Sequence, residues 1–207
     1  VNKDAKEARA MVRSLAQVGI TCADITKSLE FYHDVLGLPL LEAIDVPFDQ
    51  RRDIYGVGEE TKVTLFLLRT GNGGFVELFN FDPLVGPHQD VVWNRAGITH
   101  LALDVKNLPA VMKKLQEKGI KFVCPVKCNL GTDFIFTRDP DGNLVELIDM
   151  KKLYWPARIV GGLLAKINTK TKYKDLYERI KNKKPFPVYP PTASRFPHSG
   201  PDVIHMP

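Results

Sequence analysis

The sequence predicts an α+β fold built twice: two copies of a strand, a helix and three further strands, followed by a basic, Pro-rich C-terminal extension. Three observations carry this. An alternating strand that opens on a polar residue precedes a helix cap and a helical apolar stripe at Gln17–Cys22 with Asp24, and the same order recurs at Ile98–Leu103 with Asn107. Each copy then closes on a strand with one Glu in an apolar row: Glu77 between Phe75 and Phe79, Glu146 between Leu144 and Ile148. Charge separates the last part, since residues 1–150 hold 17 Lys and Arg against 21 Asp and Glu, whereas residues 151–207 hold 12 against 3. The chain divides accordingly into an N-terminal segment 1–14, a first module 15–82, a connector 83–96, a second module 97–150 and an extension 151–207.

Residues 1–14 are polar and basic, with Ala and Met suited to a short helix. In the first copy Val18, Ile20 and Cys22 alternate with Gln17, Gly19 and Thr21, as a half-buried strand requires. Asp24 stands at an N-cap position before Ile25, Leu29, Tyr32 and Leu36, and Gly37 is placed to end that helix. Leu38–Ala43 reads as a strand, and residues 45–60 as a long aperiodic loop, the kind of segment that often serves as a lid. Lys62–Arg69 and Phe75–Phe79 are strands joined by a hairpin turn at Gly71–Gly74.

In the second copy, Asn107 caps a helix with Pro109 in its first turn, Val111, Met112 and Leu115 as its stripe and Gly119 as its stop. Lys121–Val126 and Thr132–Thr137 read as strands. Asp139-Pro-Asp-Gly is a turn, with Pro at a favoured position and Gly free to take positive φ, and it runs directly into the strand Leu144–Asp149. The extension holds an apolar, Gly-containing run at residues 159–167, a basic stretch from Lys170 to Lys184 with a helix over Asp175–Lys181, and seven prolines among its last 23 residues. It reads either as a solvated appendage or as an arm that wraps another subunit or an acidic surface.

Composition is that of an ordinary soluble globular protein, and no apolar run approaches the roughly 20 residues of a membrane-spanning helix. No secretory signal opens the chain at Val1. The three cysteines, Cys22, Cys124 and Cys128, form neither a disulfide framework nor a zinc knuckle. They read as reduced thiols, which places the protein inside the cell, in the cytoplasm or a mitochondrion. Tyr173 and Tyr177 among basic residues do not amount to a nucleic-acid motif.

An ionised Glu in an apolar row must be paired, hydrogen-bonded or bound to a cation. Aligned on their first strands, the copies match Gln17 with His100 and Glu77 with Glu146. If the two sheets form one cleft, these four residues converge on a point. Three oxygen donors and one imidazole suit a divalent metal of intermediate hardness, namely Zn, Ni, Mn, Co or Fe(II), with positions left open for water or substrate.

The stretches Gln17-Val-Gly-Ile-Thr, Phe31-Tyr, Leu36-Gly37, His100-Leu-Ala-Leu-Asp-Val and Asp139-Pro-Asp-Gly-Asn-Leu-Val-Glu146-Leu closely resemble the vicinal oxygen chelate superfamily. That superfamily includes glyoxalase I, methylmalonyl-CoA epimerase, extradiol dioxygenases and fosfomycin or bleomycin resistance proteins. The resemblance covers about residues 15–150 and implies paired βαβββ modules curled as a mixed sheet around a metal cleft. It also implies pairing of modules between chains, hence a homodimer. The order Gln, Glu, His, Glu is similar to that of zinc-type glyoxalase I. The resemblance thus implies a zinc-dependent lyase or isomerase of a small carbonyl-bearing substrate, with Glu146 as the general base, a metal-stabilised enediolate and Glu77 as a second proton carrier.

Three positions depart from glyoxalase I. Where that family places an Arg, an Asn and an Arg that serve glutathione, this chain has Thr21, Phe81 and Ala96. Arg51 and Arg52 in the 45–60 segment are the candidates for an anionic group of the substrate. Two alternatives stand beside the glyoxalase reading: an accessory or structural subunit of a larger assembly, a mitochondrial one included, held through residues 151–207, and a dioxygenase or epimerase of the same superfamily.

Overall fold

The computed structural model describes residues 14–86, 93, 94, 96–129, 131–150, 160–165, 167, 168 and 171–186, and in it the alternation of the sequence becomes burial. Along β1 (Gln17–Cys22), Val18 and Ile20 are half-buried and Cys22 is buried, while Gln17, Gly19 and Thr21 are exposed. Asp24 then caps the helix α1, its carboxylate accepting from the backbone N–H groups of Thr26 and Lys27 at 3.1 and 3.2 Å. This helix runs as an α-helix over Ile25–Leu29 and widens to a π-helix over Glu30–Val35, which places Phe31, Tyr32 and Val35 inside. Gly37 follows at φ 79°, the left-handed conformation that ends a helix without strain only for a residue lacking Cβ.

Three strands complete the first sheet: β2 (Leu40–Asp45), β3 (Lys62–Arg69) and β4 (Phe75–Asp82), in the order β1-β4-β3-β2 with β1 parallel to β4. The second sheet repeats this topology. Here β5 (Leu101–Asp104) pairs parallel with β8 (Leu144–Asp149), followed by β7 (Thr132–Arg138) and β6 (Lys127–Asn129). Between β5 and β6 lies the helix α3 (Leu108–Glu117), capped as expected by Asn107, whose side chain accepts from the N–H of Ala110.

Some boundaries differ from the sequence reading, for local reasons. Residues 45–60 are not a plain loop: they contain a short helix, α2, over Phe48–Gln50 that continues as a π-helix over Arg51–Tyr55 and ends at Gly56 with φ 67°. Its contacts carry no hydrophobic period. Arg51 donates to the Thr61 carbonyl at 2.6 Å, and the guanidinium groups of Arg51 and Arg52 lie over the Phe48 ring at 5.6 and 5.8 Å. Lys121–Val126 is not a strand, because Pro125 has no N–H to offer a ladder; Phe122 makes only an isolated bridge to Thr137, and regular pairing begins at Lys127. The strand expected from Ile98 begins instead at Leu101, so His100 immediately precedes β5.

Both sheets turn their apolar faces to one core. Leu68, Val76 and Leu78 of the first sheet and Ile135, Val145 and Leu147 of the second belong to a single cluster with Tyr32 of α1 and Leu108 and Leu115 of α3. A polar latch crosses the same boundary. Asp139, in the turn between β7 and β8, is 5% exposed and accepts from the Tyr32 hydroxyl at 2.8 Å, from Asn143 Nδ2 at 2.9 Å, and from the backbone N–H groups of Asp141 and Asn143 at 3.1 and 2.8 Å. Asp141 continues it, accepting from the Ala23 N–H at 2.9 Å and from Ser28 Oγ at 3.2 Å. Burial first, and then the charge of Asp139, push the Tyr32 phenol well above its usual pKa, so it stays a donor.

In the extension a helix, α4, runs over Tyr173–Lys181, slightly longer than expected, and residues 160–165 are also helical. The expected N-terminal helix lies almost wholly outside the described residues, as does the Pro-rich end beyond residue 186 and part of the connector. Among the described residues, no helix is long and apolar enough to cross a membrane.

Candidate metal centre

The two matched pairs of residues occupy the same register in their two sheets. In the first, Gly19 of β1 lies opposite Glu77 of β4, and Gln17 is two residues before Gly19. In the second, Ala102 of β5 lies opposite Glu146 of β8, and His100 is two residues before Ala102. Two residues along a strand return a side chain to the same face, so each N/O donor reaches its carboxylate diagonally. Gln17 Nε2 donates to Glu77 Oε2 at 2.7 Å, and His100 Nε2 lies 3.1 Å from Glu146 Oε2. Because Val76 and Leu78, like Val145 and Leu147, point into the shared core, both carboxylates lie on faces turned away from it.

The carboxylates differ in setting. Glu77 is 7% exposed, and burial raises its pKa above the usual carboxylate range. The side chains of Glu146 and His100 are more open, at 14% and 28%. On its other side, His100 Nδ1 lies 2.9 Å from the Thr99 hydroxyl. That contact steadies the ring; to serve as a metal ligand, His100 would release its Nε2 proton and donate Nδ1–H to the Thr99 hydroxyl. Two carboxylates, an amide oxygen and an imidazole are donor types that a divalent cation takes. Gln17 with Glu77 and His100 with Glu146 are brought together as pairs; among the described residues, no group of three or more His, Cys, Asp or Glu side chains is placed to hold a metal ion.

Aromatic side chains flank both pairs. On the first sheet Glu77 is followed on its own face by Phe79 and Phe81, and the short helix brings Tyr55 edge-on to both, with ring centroids 5.7 Å apart in each case. On the second, Phe136 lies opposite Glu146 in the ladder and meets the His100 ring at 5.3 Å, with Trp93 at 5.5 Å from each of these rings. The sequence marks Phe75 and Phe79 as strand residues but does not by itself reveal these walls. Their signal was partly available, since Phe79 and Phe81 continue the face of Glu77 at period two; nothing in the sequence tied Tyr55 to them.

Residues 14–147 match the Glyoxalase/Bleomycin resistance protein/Dioxygenase superfamily. The chain belongs to that superfamily. A probable lactoylglutathione lyase of Synechocystis is 34% identical over 134 residues, covering 62% of this chain and 89% of that protein. An uncharacterised protein of Bacillus subtilis, YwkD, is 33% identical over 67% of this chain and 98% of its own length, and the lactoylglutathione lyase of Salmonella typhimurium is 29% identical over 68% and 93%. Among solved structures, a glyoxalase family protein of Bacillus cereus superposes with a TM-score of 0.59 at 20% identity, covering 68% of this chain and 97% of that one. The glyoxalase I of Leishmania major does so with a TM-score of 0.53 at 18% identity, covering 75% and 99%. At these identities the superpositions speak for the fold.

For this superfamily member, the two arginines noted in the sequence have definite partners. Arg51 is tied to the Thr61 carbonyl, and its Nε is buried with no hydrogen-bond partner. Arg52 is exposed and pairs with Asp53 at 2.7 Å.

Proposed function

We propose that this chain is a metal-dependent, glyoxalase-like lyase or isomerase that moves a proton next to the carbonyl of a small substrate. The observation that supports it is the recurrence itself: a carboxylate with a neutral N or O donor two positions off its partner residue, in both sheets. Gln17, Glu77, His100 and Glu146 would hold the ion, with Zn the first candidate and Ni, Co, Mn or Fe compatible with the same donors. When bound, the ion would polarise the carbonyl and stabilise the negative charge that develops on its oxygen. Glu146 accepts the proton α to the carbonyl. Glu146 then gives that proton to the neighbouring carbon, with Glu77 as the second carboxylate able to carry protons, so the net change is an isomerisation with no atom gained or lost. Gln17 orients Glu77, Thr99 orients His100, and Arg51 or Arg52 would meet an anionic group of the substrate, Arg52 by exchanging its weak surface pairing with Asp53.

The pairs lie on outward faces of one shared core, which supports a centre completed between two copies, one supplying Gln17 and Glu77 and the other His100 and Glu146. The test is turnover of α-oxo aldehydes, with and without a thiol, by protein purified without chelator. Activity should disappear on chelation and return with Zn, Ni or Co. Mixing inactive Glu77→Ala and His100→Ala chains should restore part of it, because a mixed dimer holds one intact centre. Absence of any metal-dependent turnover across such substrates, acyl-CoA epimers and catechols would refute the reading.

A second role, in assembly through residues 151–207, is favoured by one observation. Val160, Leu163, Leu164 and Ile167 recur at helical spacing and are 40–60% exposed. This role does not compete with catalysis for any of the four donor residues.

A further inference from the structure

We infer that the site selects a substrate carrying an aromatic ring, seated beside Glu77 on Tyr55, Phe79 and Phe81, an inference that rests on the catalytic reading above. Three features of this chain carry it. Phe79 is folded down over Gly19, the residue opposite Glu77: a Cβ built on Gly19 would come within 2.9 Å of the Phe79 ring. The missing side chain thus lets an aromatic ring lie directly next to the Gln17–Glu77 pair. Phe81 continues this floor, its ring inclined 24° to that of Phe79 at 6.2 Å, and Tyr55 stands across both at 80° and 78°. All three rings are half-buried, so part of each remains open to a ligand.

A floor of two near-parallel rings with a third ring set upright against it offers the offset and edge-to-face contacts that a further ring prefers. A methyl substituent would cover far less of these rings than a further ring does, and a charged substituent would find no ionisable group among the three except the phenol of Tyr55. Tyr55 is therefore a specificity-determining residue, and α2 exists to deliver it; Arg51, bound to the Thr61 carbonyl and lying over Phe48, holds that segment in place. The opposite half of the centre is also aromatic, with Phe136 and Trp93 against His100.

The test compares two unreactive α-oxo acids that differ only in the substituent, phenylglyoxylate and pyruvate, binding to metal-containing protein by calorimetry. Phenylglyoxylate is expected to bind about tenfold or more tightly, Tyr55→Phe to keep this preference, and Tyr55→Ala to reduce it to within about threefold. Should Tyr55→Ala fail to fold, judged by its thermal transition, Phe81→Leu reads the same wall. Equal binding of the two acids, or a preference untouched in Tyr55→Ala or Phe81→Leu, would overturn the inference while leaving the catalytic reading in place. A Tyr55-dependent preference in a protein that turns over no carbonyl substrate would uphold the aromatic seat and overturn the catalytic reading instead.

Discussion

Replacing Asp139 with alanine is expected to destabilise the protein by about 3–5 kcal/mol, the cost of removing a buried acceptor and leaving its donors unsatisfied. Four donors converge on this carboxylate, and one of them, the Tyr32 hydroxyl, belongs to a side chain that is fully buried. With Asp139 gone, that hydroxyl and the N–H groups of the turn would have to open the core to water or stay unpaired. Tyr32→Phe removes only one donor and should cost about 1–2 kcal/mol. The double variant should lose less than the sum, because both substitutions break the same contact. Urea denaturation measures all three, and a loss below about 1 kcal/mol for Asp139→Ala would show that the latch between α1 and the β7–β8 turn does not hold the two modules together.

The largest effect on activity is expected at Glu146. On the proposed reading, Glu146→Gln should lower turnover by about 10²–10⁴-fold, the usual contribution of a positioned general base. The substitution separates two roles. Glutamine is itself the proposed donor at position 17, so Glu146→Gln keeps a neutral oxygen for the ion and loses only the proton acceptor. Its thermal transition should stay close to that of the parent protein, since the side chain lies on the face away from the core. Steady-state kinetics with the substrate found in the turnover screen gives the number. A fall in turnover of less than about tenfold would reassign the base, with Glu77 the next candidate.

Much of this fold is legible in the sequence because its two periods are clean. Val18, Ile20 and Cys22 alternate and become the buried side of β1; Asp24 and Asn107 are caps by chemistry and become caps in fact. The pairing of Glu77 with Gln17 and of Glu146 with His100 could be anticipated because a carboxylate in an apolar row needs a partner and the repeat supplies the same partner position twice. What could not be read is whatever depends on contacts between distant segments with no shared period. The helix α2 is held by Arg51, Phe48 and Tyr55 through a hydrogen bond, cation–π contacts and ring edges, none of which leaves a hydrophobic stripe. The Asp139 turn is recognisable as a turn, but not as a latch, because Tyr32 lies 107 residues earlier, on the buried face of α1. Whether the two pairs meet within one chain or across two is likewise not written in either strand pattern, since alternation sets the face of a sheet and not what lies opposite it.

The central claim is that Gln17, Glu77, His100 and Glu146 together bind one divalent ion. Calorimetric titration of Zn²⁺ into chelator-stripped full-length protein tests it most directly. The account predicts one ion per chain, with affinity reduced at least about tenfold in Glu77→Ala and in His100→Ala alike, although these residues belong to different modules of the chain. Binding of Zn²⁺, Ni²⁺ and Co²⁺ that is absent altogether from the parent protein, or that keeps the parent's affinity in either variant, would contradict it.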